Sequence, residues 1–328
     1  MHELTTEQLH IPRLGEATLA SPLATLDPTG PDDLGRSDEY LPPANFVHNE
    51  ARCLLSSNLD DLPATTADLH SLPSFELAGP RETVFFSADA RVGIVTCGGL
   101  CPGLNDVIRG LVMELWHSYN VREIIGFRYG YEGLHEPFCN SAMSLSPERV
   151  ASIQEHGGTI LGAGRYGMDP VAVVDTLERM GLSILFVIGG DGTQRGAMDV
   201  VAEIRKRGLA ISVVGIPKTI DNDILFLDKP FGFETAFSLA AHAVRCAHTE
   251  AESARNGVGL VKLMGRNSGS IACCAALATS LADIVLIPEV PFRLDGPGGL
   301  LAHIRLRLEH KQHCCIIVAE GAGQEYLA

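Results

Sequence analysis

The chain has 328 residues, of which 46% are hydrophobic and 20% charged, and its formal net charge is −15. This length exceeds the usual size of one compact core and predicts two domains. The acidic excess disfavours binding to nucleic acid or to anionic membranes, because surplus Lys and Arg hold those polyanions. An anionic small substrate would need a pocket in which positive side chains converge.

Targeting signals and metal-binding cysteine pairs are not predicted. The longest apolar runs, such as Ile184–Ile188, have strand length rather than membrane-spanning length. The segment Met1–Leu4 lacks the basic start and apolar stretch of a signal peptide, and its acidic residues argue against a transit peptide. The nine cysteines are odd in number and lack the paired spacing of a zinc site. We therefore expect a cytoplasmic protein.

Hydrophobic patterning divides the chain into an extension and an alternating α/β region. Residues 1–80 are rich in Pro, Leu, Asp and Ser and show no sustained period, which predicts an irregular surface extension. Predicted strands are Val92–Thr96, Glu123–Phe127, Ile184–Ile188, Ile211–Gly215, Gly259–Leu263, Asp283–Ile287 and Cys314–Ala319. Predicted helices are Leu104–Trp116, Thr193–Arg207, Ser238–Ala254, Gly269–Ala282 and Gly299–Glu309. The alternation predicts two doubly wound, Rossmann-like α/β domains with mainly parallel sheets, over residues 81–230 and 231–328.

A glycine-rich segment, Gly189–Thr193 (GGDGT), follows a predicted strand and precedes a helix. Its small residues would let backbone N–H groups approach phosphate oxygens, and the helix N-terminus adds partial positive charge. Asp191, placed among glycines, is free to face a hydrated Mg²⁺ ion. A structural turn is the alternative, although three glycines around one aspartate exceed what a tight turn needs.

A polar segment, Pro217–Asp223 (PKTIDND), follows the next predicted strand. Asp221 or Asp223 could act as a general base on a sugar hydroxyl while the other helps to hold a metal ion. A solvated turn is the alternative. Since one helix joins the two strands, and loops after parallel strands share one sheet edge, we expect this loop to neighbour the glycine-rich one.

Three further features lie at predicted loop positions. Arg266 ends the segment MGR and suits phosphate binding, although such an arginine is often a surface ion pair. Glu320 follows the last predicted strand, but this position alone does not indicate a function. Residues 162–167 match G-x-G-x-x-G, but Asp169 resembles an N-cap and Pro170 a first helical residue, so the helix begins too late for a dinucleotide loop. We interpret Arg165 in this segment as a phosphate contact.

Five motifs in order resemble the phosphofructokinases: GGLCPG at 98–103, LGAGRY at 161–166, GGDGT at 189–193, PKTIDND at 217–223 and MGR at 264–266. The resemblance covers about residues 77–328 and is closest to the long form of plants, protists and some bacteria. It implies an allosteric glycolytic kinase that is a homo-oligomer, either a dimer or a tetramer. Such an enzyme transfers the γ-phosphoryl of ATP to the 1-hydroxyl of fructose 6-phosphate with Mg²⁺.

The resemblance also implies roles for individual residues. Asp221 matches the catalytic base and Asp191 the Mg²⁺ ligand. Gly192 matches the residue found in the ATP-using form, whereas Lys218 matches the residue found in the pyrophosphate-using form. We base the predicted phosphoryl donor, ATP, on Gly192. Positions that match ATP contacts are Gly98, Arg165, Tyr166, Gly190, Asp191, Gly192 and Thr193. Positions that match sugar-phosphate contacts are Thr219, Ile220, Asp221, Met264, Gly265, Arg266 and Glu320.

The sequence leaves two alternatives to this function open. An NAD- or lipid-kinase-like enzyme would share the GGDGT loop, although PKTIDND and MGR argue against it. The family pattern also continues beyond Ala328 into segments that grip the sugar phosphate. We therefore expect either a fragment of a longer enzyme or a catalytically incomplete, nucleotide-binding protein.

Overall fold

A computed structural model describes residues 9, 11–25, 46–55, 58, 72–165 and 167–326. These residues contain twelve strands and seven α-helices. The strands are β1 Leu19–Ala20, β2 Arg52–Leu54, β3 Ser74–Glu76, β4 Thr83–Val84, β5 Arg91–Thr96, β6 Glu123–Phe127, β7 Met143–Ser144, β8 Ile184–Gly189, β9 Ser212–Pro217, β10 Gly257–Leu263, β11 Ile284–Leu286 and β12 His313–Ala319. The helices are α1 Leu104–His117, α2 Pro147–Val150, α3 Pro170–Arg179, α4 Asp191–Arg207, α5 Phe233–Ser253, α6 Ser270–Thr279 and α7 Leu300–Lys311.

The larger sheet has five strands in the order β7-β6-β5-β8-β9, and all neighbours except β6 and β7 are parallel. The chain passes from β5 to β6 on one side and later to β8 on the other. The strand order therefore reverses between β5 and β8. In open α/β sheets this switch point opens a crevice at the carboxyl ends of the strands, where ligands bind.

Both faces of the central strand β5 are buried, which explains why it is continuously apolar. Val92 and Ile94 of β5 pack into one core with helix α1, whereas Val95 packs into a second core with α3 and α4. All three side chains have 0% exposure. Helices on both faces of a mainly parallel sheet make a doubly wound layer, as the sequence predicts.

The smaller sheet has three parallel strands in the order β10-β12-β11. Val244 of α5 and Ala272 of α6 pack with Cys315 and Ile317 of β12 in its core. The fold is thus α/β with two mainly parallel sheets, which confirms the predicted fold class. The division of the chain at residues 230 and 231 stays a prediction. No helix in the described ranges is both long and apolar enough to cross a membrane.

Several predicted boundaries are wrong by a few residues, for local reasons. Helix α4 begins at Asp191 rather than Thr193, because Gly190 is its N-cap and accepts a hydrogen bond from the Thr193 N–H group (2.9 Å). Helix α5 begins at Phe233, after Gly232 in the left-handed conformation (φ 84°). The start of α3 is confirmed, since the Asp169 carboxylate caps the Val171 N–H group (3.0 Å).

The described part of the extension is more ordered than expected from its irregular sequence. Strand β1 pairs with β4, and β2 pairs with β3, both antiparallel. Strands of two or three residues are too short to produce a readable alternation. We call the β2–β3 pair the N-terminal ribbon.

Candidate active site

A cleft of about 700 Å³ lies at the switch point between β5 and β8. We call it the first cleft. It is lined by the loop after β5, the start of α4 and the segment around Arg165. Its lining residues are Cys97, Gly98, Gly99, Tyr131, Gly164, Arg165, Met168, Gly190, Asp191, Gly192, Thr193, Arg195, Gly196, Asp199, Lys218 and Arg266. Four cations among them face two carboxylates, so a positive pocket exists in a protein with net charge −15.

Two glycines in the first cleft have geometries that larger residues would disturb. Gly98 has φ +84°, and a Cβ added there would lie 3.5 Å from the Lys218 ammonium nitrogen. A Cβ added to Gly190 would lie 3.3 Å from the Lys218 carbonyl oxygen. At Gly192, by contrast, an added Cβ would meet nothing within 4 Å. Any side chain at position 192 would therefore extend into open space near the amino end of α4.

Asp191 is the first residue of α4 and therefore lies at the positive end of the helix dipole. Its carboxylate forms an ion pair with Arg195 one turn later, with 2.8 Å between Oδ2 and the guanidinium nitrogen. Both side chains are mostly exposed, at 71% and 79%. In the described ranges no three His, Cys, Asp or Glu side chains cluster as a metal site would. A metal ion at Asp191 would need most of its ligands from a bound phosphate or from water.

The two loops predicted to be neighbours are adjacent. Gly189 of β8 is in register with Pro217 of β9, and the Lys218 N–H group donates to the Gly189 carbonyl (2.9 Å). The Gln194 side-chain amide donates to the carbonyls of Gly189 (3.0 Å) and Ile216 (3.2 Å). Gln194 thereby ties the ends of both strands together. Sequence reasoning missed this residue, although it directly follows the GGDGT segment.

Lys218 belongs to the polar segment, next to the glycine-rich one, and only 8% of its surface is exposed. Burial lowers the pKa of its ammonium group, and the nearby thiols of Cys101 and Cys97 partly offset that effect. A cation held at the floor of the first cleft would gain from a bound anion, because an anion would compensate for its lost hydration. Burial also raises the pKa of the Cys101 thiol to about 11, so this thiol is protonated at neutral pH.

Thr219 and Asp221 form the polar turn after β9. The Thr219 hydroxyl donates to the Asp223 carboxylate and accepts from the Asp221 N–H group (3.1 Å). One carboxylate oxygen of Asp221 is buried without a hydrogen-bond partner. Burial raises the pKa of Asp221, and Asp223 and Glu320 raise it further, whereas the Arg266 backbone N–H group lowers it. A carboxylate with one unpartnered oxygen and a raised pKa is suited to accepting a proton from a ligand.

A second cleft of about 700 Å³ opens beside the smaller sheet. We call it the second cleft, and its lining residues are Lys262, Arg266, Asn267, Pro288, Glu289, Glu320, Gly321 and Gln324. Arg266 lines both clefts. Gly265 has φ +124°, and an added Cβ would lie 2.3 Å from the Ser268 carbonyl oxygen, so only glycine fits before this arginine.

The fold thus brings nine of the predicted residues to two clefts that share Arg266, whereas Thr219, Asp221, Met264 and Gly265 are not among the lining residues of either cleft. Met264 is half exposed beside Arg266, and the Glu320 N–H group donates to the Leu263 carbonyl (2.9 Å). The Ile220 side chain instead packs against the hydrophobic cores. Tyr166 lies outside the described residues. Arg195 was not among the predicted site residues, although its spacing of four residues from Asp191 on a helix indicates a possible ion pair.

Comparisons with known proteins agree with this arrangement. The chain is 52% identical over 258 residues to the ATP-dependent 6-phosphofructokinase of Borreliella burgdorferi, covering 76% of this chain and 58% of that protein. It is 47% identical to the ATP-dependent 6-phosphofructokinase of Amycolatopsis methanolica, covering 98% of this chain and 68% of that protein. The chain therefore spans roughly three fifths of the length of these relatives.

Solved structures give the same picture at the level of the fold. Phosphofructokinase from Saccharomyces cerevisiae superposes with a TM-score of 0.59 at 27% identity, over 71% of this chain and 34% of that chain. A pyrophosphate-dependent phosphofructokinase from Marinobacter aquaeolei superposes with a TM-score of 0.62 at 22% identity, over 71% of this chain and 61% of that chain, and supports the fold alone.

The sequence left two alternatives open: an NAD- or lipid-kinase-like enzyme, and a catalytically incomplete nucleotide-binding fragment. These comparisons do not support either of them. The profile of the family described as Phosphofructokinase matches residues 91–328. Because this match covers well over half of the chain and the relatives agree with it, the chain belongs to the phosphofructokinase family.

Proposed function

We propose that this protein is an ATP-dependent 6-phosphofructokinase, which transfers the γ-phosphoryl of ATP to the 1-hydroxyl of fructose 6-phosphate. The observation that carries the proposal is a pair of clefts sharing Arg266, whose backbone N–H group bonds to the Asp221 carboxylate, one oxygen of which is buried without a partner. A phosphoryl donor in one cleft and an acceptor in the other would meet at that carboxylate. The names of the similar proteins support the same reaction.

ATP is proposed to occupy the first cleft, with its phosphates at the amino end of α4. Backbone N–H groups at a helix start attract phosphate, and the cations of the cleft would offset its charge. Lys218 is the most buried of these cations. The proposed ATP contacts are Gly98, Arg165, Tyr166, Gly190, Asp191, Gly192 and Thr193.

The first cleft also fits Mg²⁺ on the basis of its donor set. Mg²⁺ prefers one or two carboxylates together with phosphate oxygens and water, and Asp191 supplies one exposed carboxylate at the phosphate end. When bound, the ion would neutralise charge on the phosphates during transfer. Asp191 would have to leave its ion pair with Arg195 to hold it.

Fructose 6-phosphate is proposed to occupy the second cleft. The Arg266 guanidinium can bind a phosphate through two parallel hydrogen bonds, and Glu320 can accept hydrogen bonds from sugar hydroxyls. Gly265 fixes the backbone from which Arg266 projects. The proposed sugar-phosphate contacts are Thr219, Ile220, Asp221, Met264, Gly265, Arg266 and Glu320. For Ile220, whose side chain packs in the core, the contact would be through the backbone.

Asp221 is proposed to act as the general base. Its carboxylate would take the proton of the sugar 1-hydroxyl while that oxygen attacks the γ-phosphorus. The new oxygen–phosphorus bond forms as the bond to the β–γ bridging oxygen breaks, and ADP leaves. The Thr219 hydroxyl orders this turn by accepting from the Asp221 N–H group. A raised pKa strengthens the carboxylate as a base at neutral pH.

We further propose a homo-oligomer, a dimer or a tetramer, in the cytoplasm. Leu239, Leu260 and Leu277 are 69%, 65% and 80% exposed, which supports burial of apolar surface between subunits. All nine cysteines of the chain lie in the described ranges and are free thiols, which supports a reducing compartment. Sedimentation at several protein concentrations tests the assembly.

The deciding experiment compares Asp221→Asn with the parent in an assay of ADP release that depends on fructose 6-phosphate. We expect turnover to fall by about 10²–10⁴-fold while nucleotide affinity is unchanged, because a general base contributes on that order. Asp228→Asn, an exposed carboxylate in the same loop, is the matched control and should keep parental turnover. Turnover of Asp221→Asn within tenfold of the parent would remove Asp221 from the base role.

A further inference from the structure

The loop between β9 and α5, residues 218–232, contains two non-glycine residues in the left-handed conformation. Asn222 has φ 54° and Phe226 has φ 65°. Such conformations are unfavourable for side chains with a Cβ and persist where neighbouring groups hold them. Asn222 directly follows Asp221. Asparagine adopts this conformation more readily than phenylalanine, so the need for support is greatest at Phe226, in the loop that presents the proposed base.

Both ends of this loop are held by hydrogen bonds. At the first end, the Lys218 N–H group donates to the Gly189 carbonyl of the larger sheet (2.9 Å). Within the loop, the Thr219 hydroxyl bonds to Asp223 and to the Asp221 N–H group. At the other end, the Cys101 thiol donates to the Phe231 carbonyl (3.2 Å), and the Phe231 ring lies against Gly103. The middle of the loop lies farther from these anchors, and Leu225 there is 81% exposed.

The middle of the loop is held by an aromatic contact from the N-terminal ribbon. The rings of Phe75 and Phe226 meet edge to face, with 5.4 Å between centroids and 64° between ring planes. This geometry is the favourable one for two aromatic rings. Phe226 nevertheless keeps 53% of its surface exposed, so packing against the domain core does not explain its placement.

The N-terminal ribbon that carries Phe75 is itself braced. Phe75 is paired with Cys53 across the two strands. Arg52 donates to the Ser74 hydroxyl (2.8 Å), and Arg81 donates to the carbonyls of Val47 and Leu77 (2.8 and 2.6 Å). Because these hydrogen bonds fix the ribbon, Phe75 can hold the Phe226 ring in place, which a flexible chain could not do.

We propose that the N-terminal ribbon positions the loop that carries Asp221, and that Phe75 and Phe226 are positioning residues for phosphoryl transfer. The catalytic part of this inference rests on the proposed function. The extension thereby gains a role in catalysis although it lines neither cleft. Loss of the contact should loosen the loop around Asn222 and Phe226 without removing any group that touches a nucleotide.

Hydrogen exchange tests the structural half of the proposal without any assay of activity. In Phe75→Ala we expect the amides of residues 222–229 to exchange about two- to tenfold faster, the range that loss of one aromatic pair implies. Leu54→Ala is the matched control, since Leu54 lies on the same ribbon and is 40% exposed. Phe75→Tyr should restore parental exchange. Unchanged exchange in Phe75→Ala, with folding verified by circular dichroism, would overturn the proposal.

Steady-state kinetics test the catalytic half. We expect Phe75→Ala and Phe226→Ala to lower kcat by about two- to tenfold each, with the KM for ATP unchanged and no further loss in the double variant. Faster exchange with parental kcat would overturn the positioning role. If the parent itself turns over no fructose 6-phosphate, the proposed function has failed, and hydrogen exchange alone then decides whether the ribbon holds the loop.

Discussion

Among single residues, Asp221 combines a proposed catalytic role with a cost in stability. Its folded-state pKa is raised above the ordinary value, so ionisation is less favourable in the folded chain than in the unfolded chain. Stability is therefore lost as pH rises from the unfolded-state pKa through the folded-state pKa. We expect Asp221→Asn to raise the free energy of unfolding at pH 7 and to lose this advantage in acid.

Urea unfolding at pH 7 and at the most acidic pH where the parent stays folded measures this prediction. The exposed Asp228→Asn variant serves again as control and should show no comparable pH-dependent gain. If the difference in free energy of unfolding between Asp221→Asn and the parent is the same at both pH values, the raised pKa of Asp221 is contradicted.

Gly192 is the residue on which the proposed choice of phosphoryl donor depends. Because an added Cβ meets nothing within 4 Å, an aspartate there would enter the first cleft and face the phosphates with like charge. We expect Gly192→Asp to lower kcat/KM for ATP and to raise the ratio of pyrophosphate use to ATP use, with Lys218 available to hold the smaller donor.

The measurement is kcat/KM with each donor in the parent, Gly192→Ala and Gly192→Asp. The alanine variant adds bulk without charge, so it separates the two causes. A parent that prefers pyrophosphate, or an aspartate variant that keeps its ATP efficiency, would count against Gly192 as the donor switch.

At the scale of elements, β8 and β9 owe part of their alignment to one side chain. The Gln194 amide donates to the carbonyls of Gly189 and Ile216 at the ends of both strands. We expect Gln194→Ala to destabilise the protein by about 1–3 kcal/mol, because it leaves these carbonyls with fewer donors. Gln194→Glu should cost at least as much at neutral pH, since a carboxylate of the same shape would face carbonyl oxygens.

Denaturant unfolding of both variants checks this prediction, and the KM for ATP reports whether the glycine-rich loop has moved. Full stability of Gln194→Glu would mean that shape, rather than hydrogen bonding, matters at position 194. The neighbouring Arg195 is 79% exposed, and its truncation to alanine should change stability far less.

The whole molecule has a net charge of −15, whereas the first cleft is locally positive, with four cations and two carboxylates among its lining residues. A ligand that binds the folded state alone stabilises it by about 2.7 kcal/mol at 100 times its Kd. We expect Mg-ATP to raise Tm in this way. Asp191→Asn should lose most of the difference between Mg-ATP and ATP without metal.

Thermal unfolding with ATP, Mg-ATP and Mg²⁺ alone, in the parent and in Asp191→Asn, makes the comparison. Equal stabilisation by ATP with and without Mg²⁺ in the parent would remove Asp191 from metal binding. Absence of any shift with either nucleotide form would count against the first cleft as an ATP site.

The order of strands and helices and the positions of the polar loops can be predicted from the sequence alone. Apolar runs and glycine turns are local signals, and parallel strands direct their loops to one edge, so the adjacency of the segments at Gly190 and Lys218 followed from pattern alone. The cap at Asp169 was readable for the same reason. The strands of two or three residues in the extension were not, because so short a segment carries no period.

Which distant residues meet depends on how the elements pack in three dimensions. Arg266 reaches both clefts, Asp221 is half-buried near Glu320, and Phe75 touches Phe226, although these partners are separated by up to 151 positions in the chain. The pKa of a carboxylate and the support of a strained loop both depend on burial and on neighbours, which arise from the packing of separate elements. Local sequence specifies the elements, but the packing between them gives each residue its chemical environment.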